Sequence, residues 1–201
     1  MAVPAVDPSD ETLVAQSAAG NDHAFEALVS RYEARVFRLA CRLTSETDAP
    51  DVLQETFLQV YRGLGTFRRE SRFSTWLYRI ATNAALMNRR ARRRRPSESL
   101  DQYLPSFDAH GVHTGTPEQL QLASKADELL DRQVLAERAR AVLARLPEMY
   151  RDPFVLRDLE ELSTAEVAGM LGLEQAAVRQ RVHRARLMLR GYLSELVGVR
   201  A

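Results

Sequence analysis

The sequence predicts an all-α protein in which two small helical domains are joined by a flexible acidic linker. Three observations predict this class: apolar residues recur at steps of three and four, prolines and glycines gather mid-chain, and charge is segregated. A length of 201 residues allows one or two small domains and is enough to bury a hydrophobic core. The predicted boundaries are an N-terminal tail over 1–9, a first domain over 10–95, a linker over 96–128 and a second domain over 129–201.

Three helices are predicted in the first domain. One follows a cap at Asn21 or Asp22, and a second follows Asp48, with Pro50 tolerated in its first turn. Two glycines then break the pattern, and Ser74 is predicted to cap a third, long helix that runs into an arginine cluster. The apolar stripes of the three helices are Phe25, Leu28, Val29, Tyr32, Val36, Leu39 and Leu43; Val52, Leu53, Phe57 and Val60; and Trp76, Leu77, Ile80, Ala81 and Ala84.

The linker from Pro96 to about Lys125 lacks sustained periodicity, and we expect it to be mobile in the isolated protein. Helical periodicity resumes over Leu129–Leu146. Pro147 and the pair Asp152-Pro153 then have the pattern of helix starts, with the aspartate as cap and the proline in the first position.

The second domain contains the local pattern of a helix-turn-helix. Ser163 and Glu166 form a capping box, Gly172 supplies a turn, and a second helix is predicted from about Glu174. A helix of this kind fits the major groove of DNA, where arginine reads guanine and glutamine reads adenine. The alternative is an ordinary helical hairpin with a charged surface. The polar residues of the outer face are Arg179, Gln180, His183, Arg184 and Arg186.

The stretch from Arg62 to Arg95 combines positive charge with aromatic rings. It holds eleven arginines against a single acid, Glu70, and four aromatic residues lie between them: Phe67, Phe73, Trp76 and Tyr78. Arginine attracts phosphates of any sequence, and exposed rings offer faces on which unpaired bases stack. The pattern therefore favours a single strand over a duplex. The alternative is a solvated basic helix face with ordinary core aromatics.

Several function classes are disfavoured by the sequence. The single cysteine, Cys41, excludes a disulfide framework, and its apolar helical setting predicts a core position. The N-terminus lacks the pattern of a signal peptide and no run reaches membrane-spanning length, so we expect a cytoplasmic protein. His110 and His113 have no further ligand at metal spacing. No catalytic set is evident, and neither a metal nor a cofactor is expected.

Three motifs together resemble the extracytoplasmic-function (ECF) group of bacterial sigma factors. Asp48–Phe57 resembles the region 2.2 signature of sigma factors, and Phe73–Asn83 resembles the promoter-melting segment of this group. Leu146–Arg186, with its ending His183-Arg184-Ala185-Arg186, is similar to region 4 of the group. The resemblance covers roughly residues 10 to 195, and the short linker leaves no room for the middle domain of larger sigma factors.

The resemblance implies a role for each group of polar and aromatic residues. Docking on core RNA polymerase is implied for Asp48, Asp51, Gln54, Glu55 and Phe57. Recognition and melting of the minus-ten element are implied for Phe67, Arg68, Arg72, Phe73, Trp76, Asn83, Arg89, Arg90 and Arg92. Reading of the minus-thirty-five element is implied for Ser163, Arg179, Gln180, His183, Arg184 and Arg186. The linker of the family lies in the active-site cleft and RNA exit path of the polymerase, which suits its acidic charge here.

The chain also departs from the family pattern. Glu174 stands where a small hydroxyl residue or proline is usual, and Ala176-Ala177 replaces a Gly-Thr pair. Glutamate caps poorly and Ala177 cannot donate to a phosphate, so duplex contact at this helix start is in question. Gln180 stands where serine is common, which predicts an unusual base preference.

The function predicted by the resemblance is that of an alternative sigma factor without a catalytic residue. Its expected partners are core RNA polymerase, promoter DNA and an anti-sigma factor encoded separately. A free-standing helix-turn-helix regulator with a basic nucleic-acid-binding domain is the alternative, and it would have no use for the acidic helix over Asp48–Glu55. A pure protein-interaction adaptor is disfavoured by the arginines of the second domain.

Overall fold

The computed structural model describes residues 8–94 and 138–197, and every regular element in these stretches is helical. The all-α prediction is therefore confirmed for the described residues. The linker predicted over 96–128, residues 1–7 of the tail predicted over 1–9, and the start of the second domain lie outside the described residues. The first module consists of α1 (Asp10–Ala18), α2 (Asp22–Leu43), α3 (Ala49–Gly63), a 3-10 turn (Leu64–Thr66) and α4 (Phe73–Arg94). The second module consists of α5 (described over 138–144), α6 (Glu148–Phe154), a π-helical segment (Val155–Leu159), α7 (Thr164–Leu171) and α8 (Gln175–Val197).

The first module is a bundle in which α2 packs against α1, α3 and α4. The predicted α2 stripe is confirmed, with Leu28, Val36 and Leu39 almost fully buried. The predicted cap is also confirmed, because the side chain of Asn21 accepts a hydrogen bond from the Ala24 amide. The helix α1 was not predicted. It is only nine residues long and carries just two buried apolar residues, so its sequence gives little periodic signal.

Of the predicted starts of α3 and α4, the first is confirmed and the second needs correction. The helix α4 begins at Phe73, two residues earlier than a cap at Ser74 predicts, so Ser74 is its second residue and not its cap. Pro50 does lie in the first turn of α3, as predicted. Asp48 precedes α3 but makes no side-chain cap bond; its carboxylate instead accepts from the Ser45 hydroxyl at 2.8 Å.

The prediction of a helix start at Asp152-Pro153 is wrong, whereas the start at Pro147 is confirmed. Pro153 lies inside α6, and directly after it the backbone widens into the π-helical segment. Proline donates no backbone hydrogen bond, so the regular ladder is interrupted at this point. Asp152 is buried because its carboxylate pairs with Arg89 of the first module, a contact that local sequence does not reveal.

The helix-turn-helix prediction is confirmed in detail. The Ser163 hydroxyl accepts from the Glu166 amide at 3.2 Å, and the Glu166 carboxylate accepts from the Ser163 amide at 2.8 Å. Gly172 ends α7 with φ at +64°, a left-handed conformation that glycine adopts without steric cost. The next helix, α8, begins at Gln175, one residue beyond the predicted Glu174.

The two modules pack directly against each other, which the sequence did not predict. The apolar cluster is continuous across the boundary, and from the second module it includes Val155, Leu156, Leu162 and Val167. Contacts run from α4 to α7 and from α2 to the π-helical segment. Among the described residues, no helix combines the length and apolar character needed to cross a bilayer.

Candidate polymerase and nucleic-acid interfaces

An acidic face on α3 is exposed at the side of the first module. Asp51, Gln54 and Glu55 are all exposed, and their spacing of three and four residues places them on one side of the helix. Phe57 is half-buried and packs against the core. Asp48 differs from the other predicted docking residues: it is buried and forms an ion pair with Arg92 of α4. The structure therefore leaves a compact exposed surface of two acids and one amide.

The loop between the 3-10 turn and α4 is built around three aromatic rings. Phe67 lies against Trp76 with ring centroids 4.8 Å apart and planes tilted by 33°. Phe73 packs edge-on to Phe67 and is only 6% exposed, so it lies on the buried side of the aromatic cluster. Gly63 makes this packing possible, since a Cβ atom there would lie 3.1 Å from the indole ring. Phe67 keeps part of its ring open to solvent.

A cavity of about 310 Å³ opens between this loop and α1. Phe67, Arg72 and Phe73 line it from the loop, and Glu11 and Val14 line it from α1. Sequence reasoning missed the contribution of α1, because the periodic signal of that helix is weak. Arg69 and Glu70 also line it, so the cavity offers an aromatic wall, two guanidinium groups and two carboxylates within one opening.

Asn83 lies on the exposed face of α4, seven residues after Trp76 and on the same side of the helix. Seven residues correspond to roughly 10 Å of helix rise. Arg79 and Arg90 are exposed along the same face. The structure thus places the aromatic loop, an amide and two cations in line, with Arg68 exposed at the loop itself.

The arginines near the end of α4 face a different direction. The guanidinium of Arg89 donates two hydrogen bonds to the Asp152 carboxylate, at 2.6 and 3.1 Å, and a third to the Leu43 carbonyl at 3.0 Å. Burial lowers the pKa of Arg89, but the hydrogen bonds and charge of Asp152 and the charge of Glu148 outweigh it, so the pKa lies above its ordinary value. Arg93 also pairs with Glu148, at 2.5 Å. These cations are engaged by the second module.

The recognition face of α8 is open to solvent. Arg179, Gln180, His183 and Arg184 are all exposed there. Arg186 differs, because its guanidinium makes a bidentate pair with Asp158 at 2.7 and 2.8 Å, and this hydrogen bonding and charge raise its pKa. The predicted residue Ser163 is exposed at the start of α7, where its side chain completes the capping box. Glu174 immediately precedes α8 and is exposed.

The comparisons with known proteins agree with this arrangement of two modules. The family model described as Sigma-70 region 2 matches residues 28–95, and the model described as Sigma-70, region 4 matches residues 136–189. The ECF RNA polymerase sigma-E factor of Haemophilus influenzae is 36% identical over 194 residues, covering 94% of this chain and 97% of the relative. The chain belongs to the ECF group of RNA polymerase sigma factors.

Further relatives of this ECF sigma factor support the same conclusion. The sigma-E factor of Escherichia coli K12 is 36% identical over 182 residues, covering 89% of this chain and 91% of the relative. The solved structure of CnrH in complex with the cytosolic domain of CnrY has a TM-score of 0.62 at 28% identity, covering 94% of this chain and 99% of CnrH. RpoE from Bartonella quintana, solved with the anti-sigma factor NepR, shares the fold with a TM-score of 0.60 at 22% identity, covering 88% and 98% of the two chains.

Membership of this family confirms the predicted function at the level of the whole chain. The protein is an alternative sigma factor, a DNA-binding factor for transcription initiation, and the reading as a free-standing regulator is not favoured. The first match contains most of α2 and all of α3 and α4. The second contains α6, α7 and most of α8, so each module matches one family region.

Proposed function

We propose that this sigma factor uses three separate surfaces, each with its own partner. The docking surface (Asp51, Gln54, Glu55) binds core RNA polymerase. The base-capture surface (Phe67, Trp76, Asn83) holds an unpaired base of the minus-ten element. The upstream-reading surface (Arg179, Gln180, His183, Arg184) contacts the minus-thirty-five duplex. The first two belong to the domain proposed over 10–95, and the third belongs to the domain proposed over 129–201.

One observation carries the base-capture role: the part-exposed ring of Phe67 rests on Trp76 at the mouth of the loop cavity, with Asn83 on the same face of α4. Taking a base out of the stack costs a few kcal/mol. Stacking on an aromatic ring returns about 1–3 kcal/mol per base, and an amide adds hydrogen bonds to the base edge. The loop therefore has enough interaction energy to hold an extruded base. Two exposed arginines, Arg68 in the loop and Arg90 further along α4, would hold the phosphates.

The docking role is supported by charge segregation. The α3 surface is acidic in a module whose next segment holds eleven arginines, so a basic partner surface would be steered to α3 and not to the DNA-binding side. Asp48 is proposed to act indirectly, since its buried pair with Arg92 joins the start of α3 to α4. Phe57 is proposed to support the docking surface from the core side.

The protein is proposed to work in the cytoplasm, without a catalytic residue or a cofactor. The described residues contain no group of three His, Cys, Asp or Glu side chains that could hold a metal ion. Control by a separate inhibitory protein, an anti-sigma factor, is proposed because CnrH was solved with a protein partner and shares this fold over nearly its whole length.

A reconstituted transcription assay tests the docking surface. Reversal of charge in Asp51→Lys plus Glu55→Lys is expected to weaken binding to core polymerase by about tenfold or more and to abolish run-off transcription, because attraction becomes repulsion. The matched control, Glu26→Lys plus Glu33→Lys, reverses two exposed acids of α2. Circular dichroism checks that both proteins keep their helicity. If the α3 variant co-purifies with core polymerase as well as the control does, the docking assignment is wrong.

A further inference from the structure

A second basic surface lies on α2, outside the residues assigned above. Arg35, Arg38 and Arg42 follow one another at steps of three and four, so they share one side of the helix over roughly 10 Å. Arg72 faces them from the aromatic loop. These four arginines, with Ser74 and Tyr78 of α4, line a cleft of about 500 Å³, which we call the arginine cleft. Only the spacing along α2 could have signalled it in the sequence.

The arginine cleft is closed on one side by acids of the second module. Glu160 pairs with Arg42 at 2.6 Å, and its side chain is only 8% exposed. Burial, and then the charge of Glu160, raise the pKa of the neighbouring Tyr78 hydroxyl. Glu161 follows at the mouth of the cleft. Four arginines therefore face two glutamates, which leaves the cleft with an excess of positive charge.

The segment that carries these glutamates is held in a strained conformation. Glu161 has a φ of +57°, in the left-handed region that residues with a Cβ atom rarely adopt. Such a conformation costs on the order of 1–3 kcal/mol and persists only where the surroundings impose it. The pairing of Glu160 with Arg42 is one such constraint. Glu161 thus lies at the cleft against the local preference of its own backbone.

The arginine cleft adjoins the loop cavity, because Arg72 lines both. A strand whose base enters the loop cavity would therefore run its backbone towards α2. We propose that the arginine cleft binds the sugar-phosphate backbone of single-stranded DNA, and that Glu160 takes the place of a phosphate while the two modules are packed together. The direction of the strand rests on the base-capture function proposed above, whereas the phosphate site itself does not.

A nucleic-acid strand fits the cleft better than an acidic peptide does. The three α2 guanidinium groups form a line of charge that matches a repeating phosphate backbone, and arginine forks bind phosphate oxygens in pairs. Ser74 offers a hydroxyl, a common phosphate donor, at the same opening. Most of the lining is charged or polar, and its two aliphatic residues, Leu159 and Leu162, belong to the second module.

The test measures how the binding of labelled oligo(dT) to the full chain depends on salt. Glu160→Gln is expected to raise affinity roughly fivefold, equivalent to about 1 kcal/mol for a partly exposed ion pair. In that background, Arg35→Ala plus Arg38→Ala should reduce the slope of log affinity against log salt by about 1.4, since each single-strand phosphate contact contributes about 0.7. The control Arg138→Ala plus Arg190→Ala removes two exposed arginines of the second module and should leave the slope unchanged.

Substituting lysine for Arg35 and Arg38 should preserve most of the slope, which separates loss of charge from loss of fold. Equal slopes for the cleft variant and its control would overturn the proposal. So would preferential binding of a polyglutamate peptide that oligo(dT) does not displace, because the cleft would then be a peptide site.

The salt-dependence readout is independent of the base-capture function. Phe67→Ala plus Asn83→Ala should impair promoter opening yet keep the slope. Normal opening by that variant would count against base capture alone.

Discussion

The two DNA-binding modules present their arginines in opposite ways. On α8, Arg179 and Arg184 stand exposed on the recognition face. On the first module, Arg42 and Arg89 are turned towards the second module, where they pair with Glu160 and Asp152. The proposed upstream-reading surface is therefore available in the packed molecule, while part of the positive charge of the first module is neutralised internally. Strand binding by the first module should thus depend on separation of the two modules.

The ion pairs that hold the two modules together are strengthened by their partial burial. The side chains of Arg89 and Asp152 are only 18% and 8% exposed. Water screens such a pair less than it screens a surface pair, and removal of one partner leaves the other charge buried without compensation. The pairs also hold a continuous apolar cluster together across the boundary. The packing of the two modules is accordingly expected to weaken strongly when one of these charged residues is replaced.

The largest effect is expected for Asp152→Ala. Loss of the carboxylate that holds Arg89 should weaken packing between the modules by about 3 kcal/mol. Small-angle X-ray scattering should then report a larger radius of gyration for the variant than for the native chain. The matched control is Asp158→Ala, which removes the bidentate partner of Arg186 within the second module and should leave the dimensions unchanged. A variant as compact as the control would show that the pair does not keep the two modules packed together.

A smaller effect is expected when the open arginines of α8 are removed. Arg179→Ala and Arg184→Ala should each cost about 1–3 kcal/mol in binding of holoenzyme to duplex with the upstream element, where a base contact is lost. Opening of a template with a preformed bubble should change little. Arg190→Ala, an exposed arginine further along the same helix, is the control. Equal losses on duplex and bubble templates would contradict the division between the two modules.

The smallest effect concerns the capping box of α7. The hydrogen bonds from Ser163 and Thr75 keep the pKa of Glu166 below its ordinary value of 4.5, despite an opposing effect of burial. Because the folded pKa is the lower one, this stabilisation is complete above 4.5 and is lost as the pH falls through the lowered folded pKa. Glu166→Gln should therefore lower the Tm near neutral pH, and the difference from native should shrink under acid. The magnitude should be about 1 kcal/mol or less.

Glu174→Gln provides the comparison for this pH series, since that exposed glutamate makes no cap bond in the described chain. Its Tm should follow the native value at every pH. A constant difference between Glu166→Gln and native protein across the acid range would exclude a role for the ionised carboxylate in the cap.

Local features of this fold could be predicted from sequence, whereas features that depend on distant residues could not. The capping box at Ser163 and the turn at Gly172 involve residues within a few positions of each other, and both were predicted correctly. The buried pair of Asp152 with Arg89 joins residues 63 positions apart, and without it Asp152-Pro153 resembles a helix start. Periodicity reports which face of a helix is apolar, but it does not reveal which other element covers that face.

The same limit applies to the candidate sites. The aromatic and acidic residues of the first module were predicted from their motifs, and the structure shows that Phe67, Phe73 and Trp76 pack together. Asp48 was grouped with the exposed acids because charge alone does not distinguish a surface carboxylate from a buried one. The arginine face of α2 was missed because three of its cations are spread along a helix whose apolar stripe dominates the pattern.

The most direct test of the central claim is the reactivity of the promoter bubble to permanganate, which oxidises unpaired thymines. With holoenzyme carrying Asn83→Ala, reactivity should fall and the preferred base at one minus-ten position should change, while binding to core polymerase stays at the native level. Gln16→Ala removes an exposed amide from α1 and should behave as native. Native reactivity and native base preference in the Asn83 variant would contradict base capture by the first module.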